Sequence, residues 1–403
     1  MRKSETFTAL DGLRFLAALA VVIFHYATRV DGYARVPGFF RNLVDEGPCA
    51  VSFFFILSGF VLGYRYLYSG PRLGSAADFY CSRILRLYPA YLLAFLLFLP
   101  VAVQRYVWHA SPGIAGRHLF VRSAVLSGLM LQSWTPLAQA WNGPSWSLSV
   151  EAFLYLTFPF LGWRVAQLRG RRAAAMLCAS WMIPSLLAVA YVEHWIPETT
   201  WRAYVTNNPL LWLPLFLMGI GASRMATRWK QLTEREAETF STAGLVALLL
   251  VCLAWPHRWS DVLVTGGMAP LLAAVIIFFT RTSGWISRII GGRWLSRLGE
   301  ASYAVYILQA PLWHYWLPFT NYLRRAPLQL NVVPLWQFVA FVPFLVISSL
   351  AAQRFVEERF RSWAKDWKKR NLGSAPRRSS EAIAPVATAN APISLRFPAS
   401  HPG

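Results

Sequence analysis

Apolar residues fill most of this chain in long blocks rather than alternating with polar ones. A helix that crosses a membrane needs about 20 mostly apolar residues. Blocks of that kind fall at 8–28, 48–66, 87–107, 147–163, 173–193, 208–224, 240–256, 262–280, 300–319 and 332–354. The pattern predicts an all-α, polytopic membrane protein with about ten transmembrane helices. An eleventh apolar block, 119–134, is decided by charge. Lys and Arg collect in cytoplasmic loops. Suppose the N-terminus is cytoplasmic and 119–134 does not cross. Then Arg65, Arg72, Arg83 and Arg86, the group Arg164, Arg169, Arg171 and Arg172, the basic loops 224–235 and 281–297, and Lys365, Lys368, Lys369 and Arg370 all fall inside. If 119–134 crossed, Arg164 to Arg172 would lie outside. Ten spans put both termini in the cytoplasm and leave 119–134 at the outer face, re-entrant or interfacial. Arg105, Arg117, Arg122, Arg324 and Arg325 still fall outside, so the rule holds on balance. Residues 1–365 are expected to form one transmembrane domain, and 366–403, rich in Ala, Pro, Ser and Arg, a disordered basic cytoplasmic tail.

Composition supports this reading. Hydrophobic residues make up 56% of the 403 and charged ones only 14%, against about 25% charged in soluble domains. The 19 tryptophans suit the headgroup region. A net charge of +21 is compatible with nucleic-acid binding. Its distribution over short loops and a tail instead fits anionic lipid, and no nucleic-acid partner is expected. The cysteines, Cys49, Cys81, Cys178 and Cys252, have no metal or redox spacing. No HExxH or acidic motif is present, so no metal is expected.

Ionisable residues inside membrane helices are costly and are functional candidates. The first block reads TALDGLRFLAALAVVIFHY. Arg14 and His25 are 11 residues apart. That is close to three helical turns, so both share a face, about 16 Å apart along the axis. Read singly, His25 could be an interfacial histidine and Arg14 the ion-pair partner of Asp11. At the cytoplasmic start of the third block, FYCSRILRLYPAY, Arg83 and Arg86 share a helix face. Guanidinium pairs suit phosphate, although two such residues also serve as topology anchors. In WSLSVEAFLYLTFPFL, Glu151 matches the depth of His25 and could orient it as a general base, or pair with an outer arginine. Phosphate-binding groups inside and a base outside, on one helix face, match a long phosphorylated donor such as acyl-CoA, whose pantetheine arm has about the required ~16 Å reach.

LDGLRFLAALAVVIFHY, with Arg14, ten residues and then His25, resembles the opening motif of acyltransferase family 3, bacterial membrane O-acyltransferases that modify surface and secreted glycans. VSFFFILSGFVLGYRY resembles the family's second helix, FYCSRILRLYPAY its Arg-x-x-Arg segment, and WSLSVEAFLYLTFPFL its Trp-Ser-Leu…Glu…Tyr…Pro block. LGEASYAVYILQAPL resembles its Ser-Tyr helix, and FVEERFRSW its closing Glu-x-Pro-x-Arg element. The resemblance spans roughly residues 5–363. It implies transfer of an acyl group, expected to be acetyl, from cytoplasmic acyl-CoA to a hydroxyl of an extracytoplasmic or lipid-linked glycan, in the bacterial inner membrane. By resemblance His25 is catalytic with Glu151 in support, and Arg14, Arg83 and Arg86 bind the donor. Trp146, Ser147, Tyr303 and Gln309 are candidate acceptor or oxyanion contacts. Two positions depart from the pattern. Gln309 stands where many members have His, and Arg359 where Pro is usual, so the last helix is expected to run on. Some members carry an added esterase-like domain, and this chain is expected to be a stand-alone transferase. The rival expectation is a transporter or flippase for a lipid-linked sugar, whose marks would be broken helices and inverted repeats. Pro100, Pro214, Pro270 and Pro343 lie in the helices, but membrane helices tolerate proline generally, so they discriminate poorly.

Overall fold

The computed structural model describes residues 7–68, 75–109, 114–228, 233–324 and 333–371. Among these the chain is all-α, with an isolated parallel bridge between Val30 and Val333 as its extended pairing. The helices that position the site are α1 (Thr8–Ala27), α2 (Gly38–Asp45), α3 (Cys49–Gly63), α4 (Ala76–Val103), α5 (Ile114–Gly128), α6 (Trp146–Gln167), α7 (Gly170–Val192), α8 (Pro209–Arg228), α9 (Glu234–Ala254), α10 (Ala269–Phe279), α11 (Trp285–Ile290), α12 (Arg293–Glu300), α13 (Ser302–Leu323), α14 (Leu335–Ala352) and α15 (Glu358–Asn371).

Among the described residues, seven helices are long and apolar enough to cross a membrane, or eight if the bent pair ending in α10 counts as one span. The expected ten is not reached on that measure. The shortfall has a physical reason. Helices α6 and α13 are each 22 residues long, about 33 Å at 1.5 Å per residue, enough for a hydrocarbon core of about 30 Å. They carry Ser147, Ser149 and Glu151, and Tyr303, Tyr306, Gln309 and His314, which dilute their apolar character. These polar residues are drawn inward: Ser147, Ser149, Tyr306 and Gln309 are buried.

Helix α5 has 15 residues, about 22 Å, short of that core thickness. Its C-terminal carbonyls, orphaned at a helix end, are taken up by tyrosines of α4: Tyr91 donates to Ser127 O and Tyr88 to Gly128 O. The chain then turns through Met130, with φ of 56°, into an irregular stretch whose Gln132, Ser133, Ala138, Trp141 and Asn142 are buried. Backbone of this kind is tolerated at membrane depth where protein surrounds it. Gln132 donates to Ser145 O at 3.0 Å, and Trp141 stacks on Phe95 of α4 at 4.6 Å.

Helix α3 crosses α8 at close range. A Cβ on Gly59 would overlap the Phe216 carbonyl, and one on Gly219 the Ile56 carbonyl. Small residues in membrane helices allow backbones to approach in this way. Phe60, Phe216, Ile220 and Leu215 fill the surrounding core.

Contacts within the chain define one body, Met1–Arg361, and a second unit, Ser362–Gly403. The expected domain boundary after residue 365 falls inside α15, which continues through Arg359 to Asn371. Arg72, Arg325 and the tail beyond Asn371 lie outside the described residues.

Candidate active site

Helix α1 is unbroken from Thr8 to Ala27, so the spacing of Arg14 and His25 along it stands. Its lower half is pressed against α11 and α12. A Cβ on Gly12 would lie 2.8 Å from the Ile290 carbonyl carbon, and one on Gly299 2.9 Å from Asp11 Cα. Glycine at both positions lets α1 sit directly on that backbone. It sets Asp11 and Arg14 at the base of the bundle, with Arg14 Nη1 3.7 Å from Asp11 Oδ1.

Arg83 and Arg86 lie on α4, which starts at Ala76, well before the expected span. Arg83 is buried, with 8% exposure. Its guanidinium lies 5.7 Å from the ring centres of both Phe79 and Tyr155, a cation–π arrangement. Its one hydrogen bond in the described structure is a long 3.4 Å donation to Ser82 Oγ. Arg86 sits in the field of Glu151, Tyr155, Glu357 and Asp11. Arg14 feels Arg86, Asp11, Tyr155 and Glu151. Glu357 ends a π-helical turn, Gln353–Glu357, that reshapes the junction of α14 and α15. It is 1% exposed and accepts from Arg361 at 2.7 Å. Arg14 pairs with Asp11 and Arg361 with Glu357, Arg86 and Glu151 lie within electrostatic range of them, and Arg83 joins this neighbourhood through the Tyr155 ring.

Glu151 is placed differently from the expected pairing. Its Oε1 accepts from Ser58 Oγ at 3.2 Å and from Tyr155 Oη. The group bonded to His25 is Gln309, at 2.9 Å from Nδ1. The face of α6 that carries Glu151 and Tyr155 turns toward α3 and the α4 arginines, so equal depth did not become contact. The structure thus brings His25 to Gln309, and Glu151 to Ser58 and Tyr155, within electrostatic range of Arg14 and Arg86.

The other candidates surround the upper group. Ser147 Oγ donates to Pro144 O at 3.1 Å and lies 2.8 Å from Tyr306 Oη. Tyr306 O accepts from Gln309 Nε2 at 2.7 Å. Trp146 packs on Phe55 and Trp212, ring centres 6.4 and 5.5 Å away. Tyr303 Oη donates to Leu87 O at 2.6 Å, tying α13 to α4. Pro311 has no N–H for the Ile307 carbonyl one turn back. Asn142 Nδ2 supplies the missing donor at 2.9 Å, which fixes the irregular stretch against α13 two residues before Gln309.

Sequence reasoning missed Asn142, Tyr306 and a further group near the upper end of α1. There Glu46 is 3% exposed, and its Oε1 accepts from Ser260 Oγ at 2.5 Å. Tyr33 donates to Asp45 Oδ1 at 3.1 Å, and burial with that carboxylate pushes the phenol up. The signal for Glu46 was an acid directly before the apolar run CAVSFFFILSGFVLG. No group of three or more His, Cys, Asp or Glu among the described residues is arranged to hold a metal.

With this geometry in place, comparison with known proteins decides the family. The acyltransferase domain model of family 3 matches residues 7–354. The chain belongs to acyltransferase family 3. It is 32% identical to acyltransferase MdmB of Streptomyces mycarofaciens over 52% of each chain. It is 23% identical to the peptidoglycan O-acetyltransferase OatA of Listeria monocytogenes over 88% of this chain and 55% of that protein. Nodulation protein 10 of Rhizobium leguminosarum bv. viciae is 28% identical over 44% of this chain and 49% of its own. The chain thus spans about half the length of these curated relatives. No solved structure matches it significantly. The resemblance read from the motifs and the family match agree.

Proposed function

We propose that this family 3 member is a membrane O-acyltransferase. It moves an acyl group, acetyl in the simplest case, from cytoplasmic acyl-CoA to a hydroxyl of an extracytoplasmic or lipid-linked glycan. One observation carries the reading: a single unbroken helix holds Arg14 in an arginine-rich cluster at one end and a hydrogen-bonded His25 about 16 Å away at the other. The arginines suit the phosphates of the nucleotide. The pantetheine arm covers the distance, and the thioester meets the imidazole. His25 Nε2 takes the proton of the acceptor hydroxyl as its oxygen bonds to the thioester carbonyl carbon. The C–S bond then breaks, and the departing thiolate receives that proton from the imidazolium. Ser147 and Tyr306 supply hydroxyls near the reacting carbonyl. Glu151 acts at the arginine cluster, setting the arginines for the donor. The bacterial inner membrane with both termini cytoplasmic is the location this scheme requires.

The test uses purified full-length protein and labelled acetyl-CoA. His25→Ala should retain acetyl-CoA binding and lose 10²–10⁴-fold in transfer. In cells, envelope glycans should lose one acyl mass per modified sugar. Wild-type protein without acetyl-CoA affinity would sink the reading and favour a transporter. Near wild-type transfer in His25→Ala would remove the histidine from the chemistry.

A further inference from the structure

The contacts of Gln309 determine which nitrogen of His25 is the base. Gln309 is 0% exposed, so its amide has no alternative partner in water. Its Nε2 lies 2.7 Å from the carbonyl oxygen of Tyr306. A carbonyl only accepts, so the NH2 end of the amide must face it. The amide oxygen then faces His25, 2.9 Å from Nδ1. An oxygen without a proton there requires that Nδ1 carry one. The second ring nitrogen, Nε2, has no hydrogen-bond partner among the described residues and keeps its lone pair when the ring is neutral. The backbone holding this amide is fixed in turn, because Asn142 fills the Ile307 carbonyl that Pro311 leaves open.

We propose that Gln309 is a positioning residue that locks neutral His25 in the Nδ1–H form and aims Nε2 at the acceptor hydroxyl. The inference rests on the acyltransfer reading for its catalytic consequence, but not for the protonation state itself. The sequence pointed to Gln309 as a departure from the histidine found in many relatives. In this chain a neutral amide holds the ring by orientation rather than by charge. An amide cannot take the Nδ1 proton, so no proton is relayed through this position. Of the two ring nitrogens, Nε2 alone exchanges protons with substrate.

Two measurements on the full-length protein in nanodiscs test this. The first is nitrogen NMR of ¹⁵N-histidine-labelled protein, with the His25 signals assigned by their loss in His25→Ala. Wild type should show a protonated Nδ1 and an unprotonated Nε2 at pH above the ring's titration. Gln309→Leu should show a mixture of the two neutral forms. A dominant Nε2–H form in wild type, or an unchanged spectrum in Gln309→Leu, overturns the proposal. The second is steady-state transfer from acetyl-CoA to an envelope glycan extract. Gln309→Leu should lose roughly 10²-fold in kcat, in the range of losing the correct tautomer or the base. KM for acetyl-CoA should stay within about twofold, because the donor nucleotide sits about 16 Å away. Gln309→Glu, with its buried carboxyl protonated on the oxygen that meets the Tyr306 carbonyl, keeps an acceptor oxygen toward His25 and should recover most of that kcat. A loss shared equally by the Leu and Glu variants marks Gln309 as packing only. The two readings fail separately. If His25→Ala still transfers acyl groups, the catalytic role falls, while the nitrogen spectrum still decides the protonation state.

Discussion

Replacing Gly12 with alanine tests whether the contact of α1 with α11 and α12 sets the donor end of the site. A Cβ at Gly12 would sit 2.8 Å from the Ile290 carbonyl carbon and 3.0 Å from its Cγ2, and would overlap the carbonyl oxygen. Ordinary contacts of this kind are 3.4–4 Å. The carbon contact alone asks for about 0.6 Å of movement, and the obstacle is backbone, which has no rotamer to change. Overpacking of this sort costs about 1–3 kcal/mol. Alanine regains about 1 kcal/mol through helix propensity. The overlap wins, leaving a net loss near 1 kcal/mol. The displacement has a second effect, because Asp11 lies one residue before Gly12 and Arg14 two residues after it. A shift approaching 1 Å at a positioning group can cost up to about 10²-fold in rate. Gly12→Ala should therefore unfold earlier on heating in detergent, bind acetyl-CoA more weakly and transfer at least about tenfold more slowly. Gly38→Ala is the control: nothing lies within 4 Å of its added carbon, and stability should be unchanged or slightly higher. A Gly12→Ala protein as stable as wild type, with unchanged acetyl-CoA affinity, would refute both the close crossing and its role in placing Arg14.

The two arginines of α4 should behave differently. Arg83 faces aromatic rings without an ion-pair partner in the described structure, so Arg83→Ala should weaken acetyl-CoA binding about ten- to a hundredfold, the worth of a charge-assisted contact of about 1.5–3 kcal/mol, with little loss of stability. Arg86→Ala leaves Glu151, Glu357 and Asp11 short of a neighbouring cation and should lower the melting temperature as well as affinity; equal effects in both variants would argue against this division. Reporter fusions after Arg172 and after Asn371 should both read cytoplasmic if α5 does not cross, and an external signal at Arg172 would require the extra span.

The sequence was most legible where one physical quantity repeats along one element. Apolar block length located the main helices, and the 3.6-residue period placed Arg14 and His25 on one face of α1 before any packing was known. It was less legible where polarity is spent inside the bundle. The blocks 147–163 and 300–319 marked helices α6 and α13, but which partners their polar side chains would meet is a property of the assembled fold. Depth inferred from topology matched His25 with Glu151, but depth fixes one coordinate of three. Rotation of α6 about its own axis, set by contacts with α3 and α4, carries Glu151 to Ser58 and the arginines. That leaves the imidazole to a residue of α13. Pro311 shows how such information can be recovered: a proline inside a helix announces a free carbonyl four residues earlier, and a buried free carbonyl requires a donor. Asn142 answers that requirement from 165 residues away in sequence. The same accounting, applied to every buried polar group around His25, points to Gln309 through its own two partners. The proline thus fixes the backbone that carries Gln309 through the Ile307 carbonyl, and Gln309 in turn holds the histidine to which the motif first drew attention.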